Sequence, residues 1–243
     1  MSLGWQDVRD TYQRSTLGPL WMTIALGVQV TAIGLVFGLL FGVDLTVFFP
    51  FLAISLTLWG FVVSSVTDAT GAYVQSQQIV KQMYVPSFFP IVRVLSKNLI
   101  VFGHNLSIIV IVMVVFGIVP NVNLLWFVPG LAVVTAVIYV VSVVAATVSA
   151  RFRDVPPIIS SVLMVSFYLT PIIWMPDTLP EEFRNIVLTW NPFYHLMELV
   201  RSPILGLAPS ALNWWVGVGI FVVLGLFAWW VSKKYSWKIV YWL

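Results

Sequence analysis

The stretch NLIVFGHNLSIIVIVMVVFGIVPNVNLLWFVPGLAVVTAVIYVVSVVAATVSA, residues 98–150, runs for 53 residues between Lys97 and Arg151 without a formal charge. A helix that crosses the hydrocarbon core of a bilayer needs ~20 consecutive apolar residues. The run therefore holds two crossings, and Pro120-Asn121-Val122-Asn123 is the turn chemistry that divides them. Two spans are expected, over 98–119 and 124–150, joined as a hairpin.

On the N-terminal side there is no charge between Arg14 and Asp44, nor between Asp44 and Asp68. These intervals make room for a first span at 19–42 and a second at roughly 46–69. On the C-terminal side a fifth span is expected over about 155–175 and a last one near 212–232, ahead of the tail KKYSWKIVYWL. Hydrophobic residues make up 60% of the chain and charged ones 9%, and the mean hydropathy is +0.99. A water-soluble core cannot absorb such values. The expected fold is all-α: a polytopic membrane protein with six transmembrane helices in one transmembrane domain over residues 1–243.

Cysteine is absent, which excludes disulfides, thiolate metal sites and cysteine nucleophiles. The first residues lack a basic stretch followed by a short apolar segment and a small-residue cleavage site, so the first span is expected to direct insertion itself. The isoelectric point near 9.3 would suggest nucleic acid if the basic residues formed one patch. They are scattered over the short connections instead, and no nucleic-acid partner is expected.

Six crossings put both termini on one side. Arg9, Arg14, Lys81, Arg93, Lys97, Arg151, Arg153, Lys233, Lys234 and Lys238 fall on that side, and only Arg184 and Arg201 on the other. The positive-inside rule makes the first side cytoplasmic. The stretch ARFRDVPPII, residues 150–159, is then a cytoplasmic hairpin between spans four and five. Asp154 reads as the N-cap of span five, with Pro156 and Pro157 in its first turn, where intrahelical partners for an N–H are missing anyway. Arg151 and Arg153 either anchor this hairpin at lipid headgroups or serve a contact that its tight turn favours.

Two other segments face the same side. Residues 1–18 carry Trp5, Val8 and Tyr12 at helical spacing, with Asp7, Arg9, Asp10 and Arg14 on the remaining arc, and Gly18-Pro19 ends the pattern. That is an N-terminal interfacial helix, with Trp5, Arg9, Tyr12 and Arg14 at the membrane surface. The connection over 74–97 contains QSQQIVKQMYVPSFFPIVRVLSKN (75–98), a short helix ending at Tyr84-Val85-Pro86 and a restart near Pro90. So apolar a helix needs a cover, either the chain's own spans or a groove on a partner.

On the opposite side, residues 176–203 are too polar to cross again and too regular for plain loop. Thr178 and Glu181 read as a capping box for a helix from about 180 to 189. Asn191-Pro192 reads as N-cap and first position of a second, ending before Ser202-Pro203, with Glu198 and Arg201 paired at i,i+3. Two such helices form either a re-entrant hairpin between spans five and six or a surface loop with its helices lying flat. Phe193, Tyr194, Leu196, Met197 and Leu199 leave little polar surface and favour the re-entrant form.

No catalytic engine is legible. There is no HExxH, no GxSxG and no GxxxxGK[ST] phosphate loop, and His104 and His195 belong to opposite sides. Ion coupling needs ionisable groups at membrane depth, for which only Asp68 and His104 qualify, and capping or bonding to a neighbouring helix accounts for both. Energy for transport would have to arrive from another chain.

Five ordered motifs carry a resemblance: DTYQRSTLGPLW (10–21), IVKQMYVPSFFP (79–90), RFRD (151–154), TPIIW (170–174) and NPFYHLMELVRSPILG (191–206). Together they resemble the transmembrane subunit of polysaccharide ABC exporters, the O-antigen, capsule and teichoic-acid permeases. Thr11 departs from the pattern, standing where many relatives carry a basic residue, with Arg9 and Arg14 nearby.

The resemblance implies a bacterial cytoplasmic-membrane protein in which two copies of the chain assemble with two ABC ATPase subunits. ATP and magnesium would be bound by the ATPase and no cofactor by this chain. It implies that Ile79, Val80, Lys81, Gln82, Met83 and Tyr84 form the coupling helix in the ATPase groove, and that Arg151, Arg153 and Asp154 make a second, smaller contact. It also implies that the short helices form an outer gate, with Glu181, Asn191, Pro192, Tyr194, Glu198 and Arg201 in it, over a passage for a lipid-linked glycan. A permease for a lipid or drug, or a membrane assembly subunit without a conduit, are the other classes open to such a chain.

Gly34, Gly38 and Gly42 repeat at i,i+4 on the first span, a small-residue face for packing within one subunit or along a dimer seam. The 12 Trp, 17 Phe and 8 Tyr suit interfacial belts. Phe37, Phe167 and Tyr168 are the candidates for a glycan path.

Overall fold

The computed structural model describes Gly4, residues 20–78 and residues 86–243, apart from the side chain of Asn185. The interfacial helix expected over 1–18, with Trp5, Arg9, Tyr12 and Arg14, and the coupling helix expected over Ile79–Tyr84 lie outside the described residues. Among the described residues the secondary structure is helical throughout, with no strand.

Among the described residues five helices are long and apolar enough to cross a membrane. They are α1 (Leu20–Phe41), α2 (Leu45–Thr70), α4 (Phe89–Val115), α5 (Phe127–Arg151, preceded by a 3-10 turn at Val122–Trp126) and α9 (Ala211–Tyr235). Shorter helices are α3 (Ala72–Gln75), α6 (Val155–Leu169), α7 (Glu181–Thr189), α8 (Pro192–Ile204) and α10 (Ile239–Trp242). The chain is a multi-pass membrane protein.

α2 is the hub: most of its apolar length is buried, whereas α1 and α9 are buried over only a small part of theirs. It packs on α1, α4, α5, α6 and α8. Small residues at its contacts, Ala53, Ser55, Thr57, Ser65 and Ala69, let neighbouring backbones come close. The hydroxyls of Ser55 and Thr57 donate to carbonyls four residues back, so they enter the interior already paired. The glycine face of α1 serves packing within the chain: a Cβ at Gly34 would meet the Phe49 ring at 2.7 Å, and one at Gly38 would overlap Leu45. Gly42 is not on that face; it makes the turn into α2 with φ +62°, beside the Asp44 N-cap that accepts from Thr46.

Several expectations change. The fifth span stops at Leu169, not near 175. Thr170 precedes Pro171 and is held extended at ψ 138°, because a following proline crowds the helical conformation. At 1.5 Å per residue α6 is about 22 Å long, short of a ~30 Å hydrocarbon core. Asp154 occupies the N-cap position of α6 without capping it. Its side chain would need the N–H of the second or third helical residue, and these are Pro156 and Pro157, which have none.

The capping box at Thr178 is likewise absent. Leu179 precedes Pro180 and is extended, so α7 begins only at Glu181, and the Thr178 hydroxyl closes a 3-10 turn on Met175. α8 also runs past Ser202-Pro203 to Ile204; Gly206, at φ +86°, ends it through a bond from the Leu207 N–H to the Ser202 carbonyl at 2.8 Å.

The two ends of the bundle differ in chemistry. At one end Lys97 pairs with Asp68 at 3.1 Å, and Asn98 donates to the same carboxylate. There the tail turns back: Ile239 is buried with Tyr73, Ile91, Val143 and Ala146, and Gln77 donates to the Leu243 carbonyl. The described basic residues counted to one face all stand on helices or connections that meet at this end. The α4–α5 turn, α7, and the ends of α6 and α8 meet at the other.

Candidate functional site

α8 is short, yet it is among the most enclosed elements of the molecule. His195, Met197, Leu199, Val200, Arg201, Ser202 and Ile204 are buried, and only Pro192 is exposed. Asn191 starts it as the sequence suggests: its Oδ1 accepts from the Tyr194 N–H at 3.1 Å, and Pro192 takes the first helical position. The same side chain does a second job. Its Nδ2 donates to the Leu169 carbonyl and to Thr170 Oγ1, both at 3.1 Å, tying α8 to the end of α6.

One turn on, His195 is 2% exposed and bridges two further elements. Its Nε2 lies 3.0 Å from the Thr189 carbonyl at the end of α7, so this nitrogen carries the proton. Its Nδ1 lies 2.8 Å from the Asn213 amide on α9. The loop after α8 is tied in turn: Asn121 and Asn123, from the PNVN turn, both donate to the Gly206 carbonyl at 2.7 Å.

The centre of the site is Arg201, with no exposed surface. Its Nε donates to Glu198 Oε1 at 3.0 Å, and its Nη2 reaches the same oxygen. Nη1 donates to Ser55 Oγ on α2 at 2.9 Å and to the Pro171 carbonyl at 2.7 Å. The guanidinium lies over the Phe51 ring, 4.1 Å from its centroid. Ser202 completes the shell by donating to Glu198 Oε2. A buried charge survives only when paired and hydrogen-bonded, and every part of this guanidinium has a partner. One arginine thus joins α8 to the hub helix and to the TPIIW stretch.

Backbone packing adds a fourth restraint. Pro203 has no N–H to offer the Leu199 carbonyl, and Gly130 of α5 packs against that carbonyl so closely that a Cβ there would overlap it. Between α6, α7 and α8 an open cleft of about 330 Å³ is lined by Ser166, Leu169, Thr170, Trp190, Asn191 and Phe193. Sharing Phe193 with it, a narrower apolar pocket of about 90 Å³ lies among Trp59, Val134, Ile138, Leu163 and Met197, too small for a sugar ring.

Of the residues singled out in the sequence, the structure brings Asn191, Pro192, Glu198 and Arg201 together on α8, beside Tyr194. Glu181 stands apart on α7, exposed, 3.6 Å from Arg184. Phe167 and Tyr168 are adjacent, ring centroids 5.3 Å apart, and Phe167 also meets Trp59. Phe37 stands elsewhere, on α1, against Phe41. At the basic end Arg151, Arg153 and Asp154 are all exposed, and the Arg151 guanidinium also lies near the rings of Phe152 and Trp242. Sequence reading missed Phe51, Ser55, Asn213 and the packing of the tail. One signal was available for the first two: an arginine on a helix with so little polar surface has to find its partners inside.

The profile of the ABC-2 type transporter family matches residues 1–205, most of the chain. The chain belongs to the ABC-2 type transporter family. Within that family it is similar to the O-antigen export system permease protein RfbA of Klebsiella pneumoniae, at 27% identity over 227 residues covering 91% of this chain and 86% of the relative. A second RfbA of the same organism is 28% identical over 189 residues, 77% of this chain and 72% of that one. RfbA of Myxococcus xanthus is 22% identical over 203 residues, 83% and 78%. The family agrees with the resemblance carried by the five motifs. As an ABC-2 membrane subunit the chain is a transporter component, and its family implies an ABC ATPase as partner. The matched residues include α8 up to Ile204 and so the whole Arg201 network.

Proposed function

We propose that this chain is the membrane-spanning subunit of an exporter that moves a lipid-linked polysaccharide across the bacterial cytoplasmic membrane, driven by a separate ATPase. The observation that carries the reading is the alignment with an O-antigen export permease over 91% of this chain and 86% of that protein, which gives nearly every element here a counterpart there. Two copies of the chain and two ATPase subunits form the working unit, with ATP and magnesium on the ATPase. Ile79–Tyr84 is the coupling helix within the 74–97 connection, and Arg151, Arg153 and Asp154, all exposed, are the smaller contact. Residues 1–18 lie on the cytoplasmic membrane surface.

In this reading both termini are cytoplasmic and six segments cross. The fifth of these is the short α6 together with the bend at Pro171–Trp174, and the sixth is α9. The α7–α8 hairpin over 176–203 is re-entrant and acts as the outer gate, with the burial of α8 supporting this over a flat surface helix. Phe167 and Tyr168 border a glycan path between the two copies.

The experiment is deletion of the chain's gene and complementation. Loss should abolish surface polysaccharide while lipid-linked polymer accumulates inside, and the wild-type chain should restore export. A Met83→Asp chain, inserted normally, should not restore it, because the charge would be buried unpaired in the ATPase groove. Unchanged surface polymer in the deletion strain would refute the reading and favour a lipid or drug substrate.

A further inference from the structure

At the basic end of the bundle a second pocket lies far from α8, between the last turns of α5 and α9 and roofed by the tail. Its volume is about 360 Å³, and its walls include Arg151, Phe152, Phe227, Trp230, Tyr235 and Trp242. The Arg151 guanidinium lies 5.3 Å from the Phe152 ring centroid and 5.4 Å from that of Trp242. Ring contacts of this kind engage the face of the guanidinium and leave its edge N–H groups free to donate. Among the described residues no carboxylate pairs with Arg151, and no acidic residue lines the pocket. A second cation stands at the rim, where Lys234 Nζ lies 4.7 Å above the Trp230 ring. Arg201, by contrast, has every donor group engaged.

The surroundings identify the level in the membrane. Trp229, Trp230 and Trp237, each partnered by Lys233, Lys234 or Lys238 at 4.7–5.1 Å, make the amphipathic belt of a membrane–water boundary. A site there, with unpaired guanidinium edges, a lysine at the rim and an aromatic wall continuing along α9 through Phe227, suits an anion that carries an apolar chain. Fork-shaped donors match phosphate oxygens.

We propose that this pocket binds the phosphate of a lipid headgroup with net negative charge, held by Arg151, with its hydrocarbon chain against Phe227 and Trp230. Because Trp242 closes the roof, the bound lipid also joins the tail to the α5–α6 hairpin, next to the segment carrying Gln77, which already holds the Leu243 carbonyl. The inference concerns lipid binding by the chain and stands whether or not the exported substrate is a glycan.

The test uses the full-length chain purified in neutral detergent, with lipid retention followed by native mass spectrometry. The probes are phosphatidylglycerol, phosphatidylcholine and a polyprenyl phosphate. The wild-type chain should retain one phosphatidylglycerol per copy in preference to phosphatidylcholine. Arg151→Gln should weaken that retention about tenfold, the scale of one lost charge-assisted fork, and Arg151→Lys should weaken it less. Preferential retention of phosphatidylglycerol assigns the site to a bulk glycerophospholipid, and displacement by polyprenyl phosphate assigns it to a lipid carrier; either supports the site. Arg151 is exposed, so the variants should keep the wild-type unfolding midpoint. Equal retention of phosphatidylcholine, or unchanged phosphatidylglycerol retention by Arg151→Gln, would overturn the proposal. Trp242→Leu gives an independent check, since loss of the roof should also lower retention.

Discussion

Replacing Arg201 by methionine tests whether its network holds α8 in place. The substitution keeps a long flexible side chain in the same space but removes all the donors. It leaves Glu198, whose side chain is 15% exposed, without its cation, and it leaves Ser55 Oγ and the Pro171 carbonyl without their shared donor. Removing one partner of a buried ion pair costs about 3–5 kcal/mol, and the lost contact with the Phe51 ring acts in the same direction. At about 2–4 °C per kcal/mol for a chain of this size, Arg201→Met should lower the unfolding midpoint in detergent by roughly 6–20 °C. The double variant Glu198→Leu, Arg201→Met removes both charges. It should recover most of the loss, because an apolar pair of similar volume is often as stable as a buried ion pair. The assay is tryptophan-fluorescence unfolding of the purified chain, with Glu198→Leu alone completing the double-mutant cycle. A midpoint within 2 °C of wild type for Arg201→Met, or a double variant no more stable than the worse single one, would refute the claim that the paired charge organises α8.

Asn191→Ala should lose both the cap on Tyr194 and the ties to Leu169 and Thr170, about 1 kcal/mol for the cap alone. Asn191→Asp can cap but cannot donate to the Leu169 carbonyl. In reconstituted vesicles leakage of a small polar solute should therefore rank alanine above aspartate above wild type, and equal leakage of all three would remove the gate role from this residue. Gly130→Ala should destabilise by about 1–3 kcal/mol, the usual cost of overpacking, as read by thermal unfolding, while Gly60→Ala, facing open space, should be far milder. A cysteine introduced at 153 should react with a membrane-impermeant label only from the cytoplasm and one at 183 only from outside; the reverse would invert the proposed topology.

Much of the fold was legible locally, because a bilayer imposes a local rule. With no water to satisfy backbone groups, a crossing segment must be a helix of about 20 apolar residues. The uncharged runs around Asp44, and the 53 residues before Arg151, therefore yielded α1, α2 and α5 with small errors at their ends, whereas α4 begins at Phe89, nine residues before the expected 98. The N-cap at Asn191 was legible for the same reason, since a cap is made within four residues. Where such readings failed, a nearby proline overruled the pattern: Pro171 ended α6 early, Pro180 displaced the start of α7, and Pro156 and Pro157 left Asp154 nothing to cap. Those corrections, too, were local and could have been drawn from the sequence.

Tertiary structure alone decided the rest. Lipid is as apolar as leucine, so hydrophobicity does not distinguish a helix face turned to a neighbour from one turned to the bilayer, and nothing in composition marked α2 as the hub and α1 as peripheral. The i,i+3 spacing of Glu198 and Arg201 predicted their pairing, but not that Ser55, 146 residues away, would share the guanidinium. The tail that closes over Arg151 and the asparagines of the PNVN turn that hold Gly206 are likewise joined only in space. Spacing along one helix sets which side chains share a face; which distant groups receive that face depends on how the helices pack.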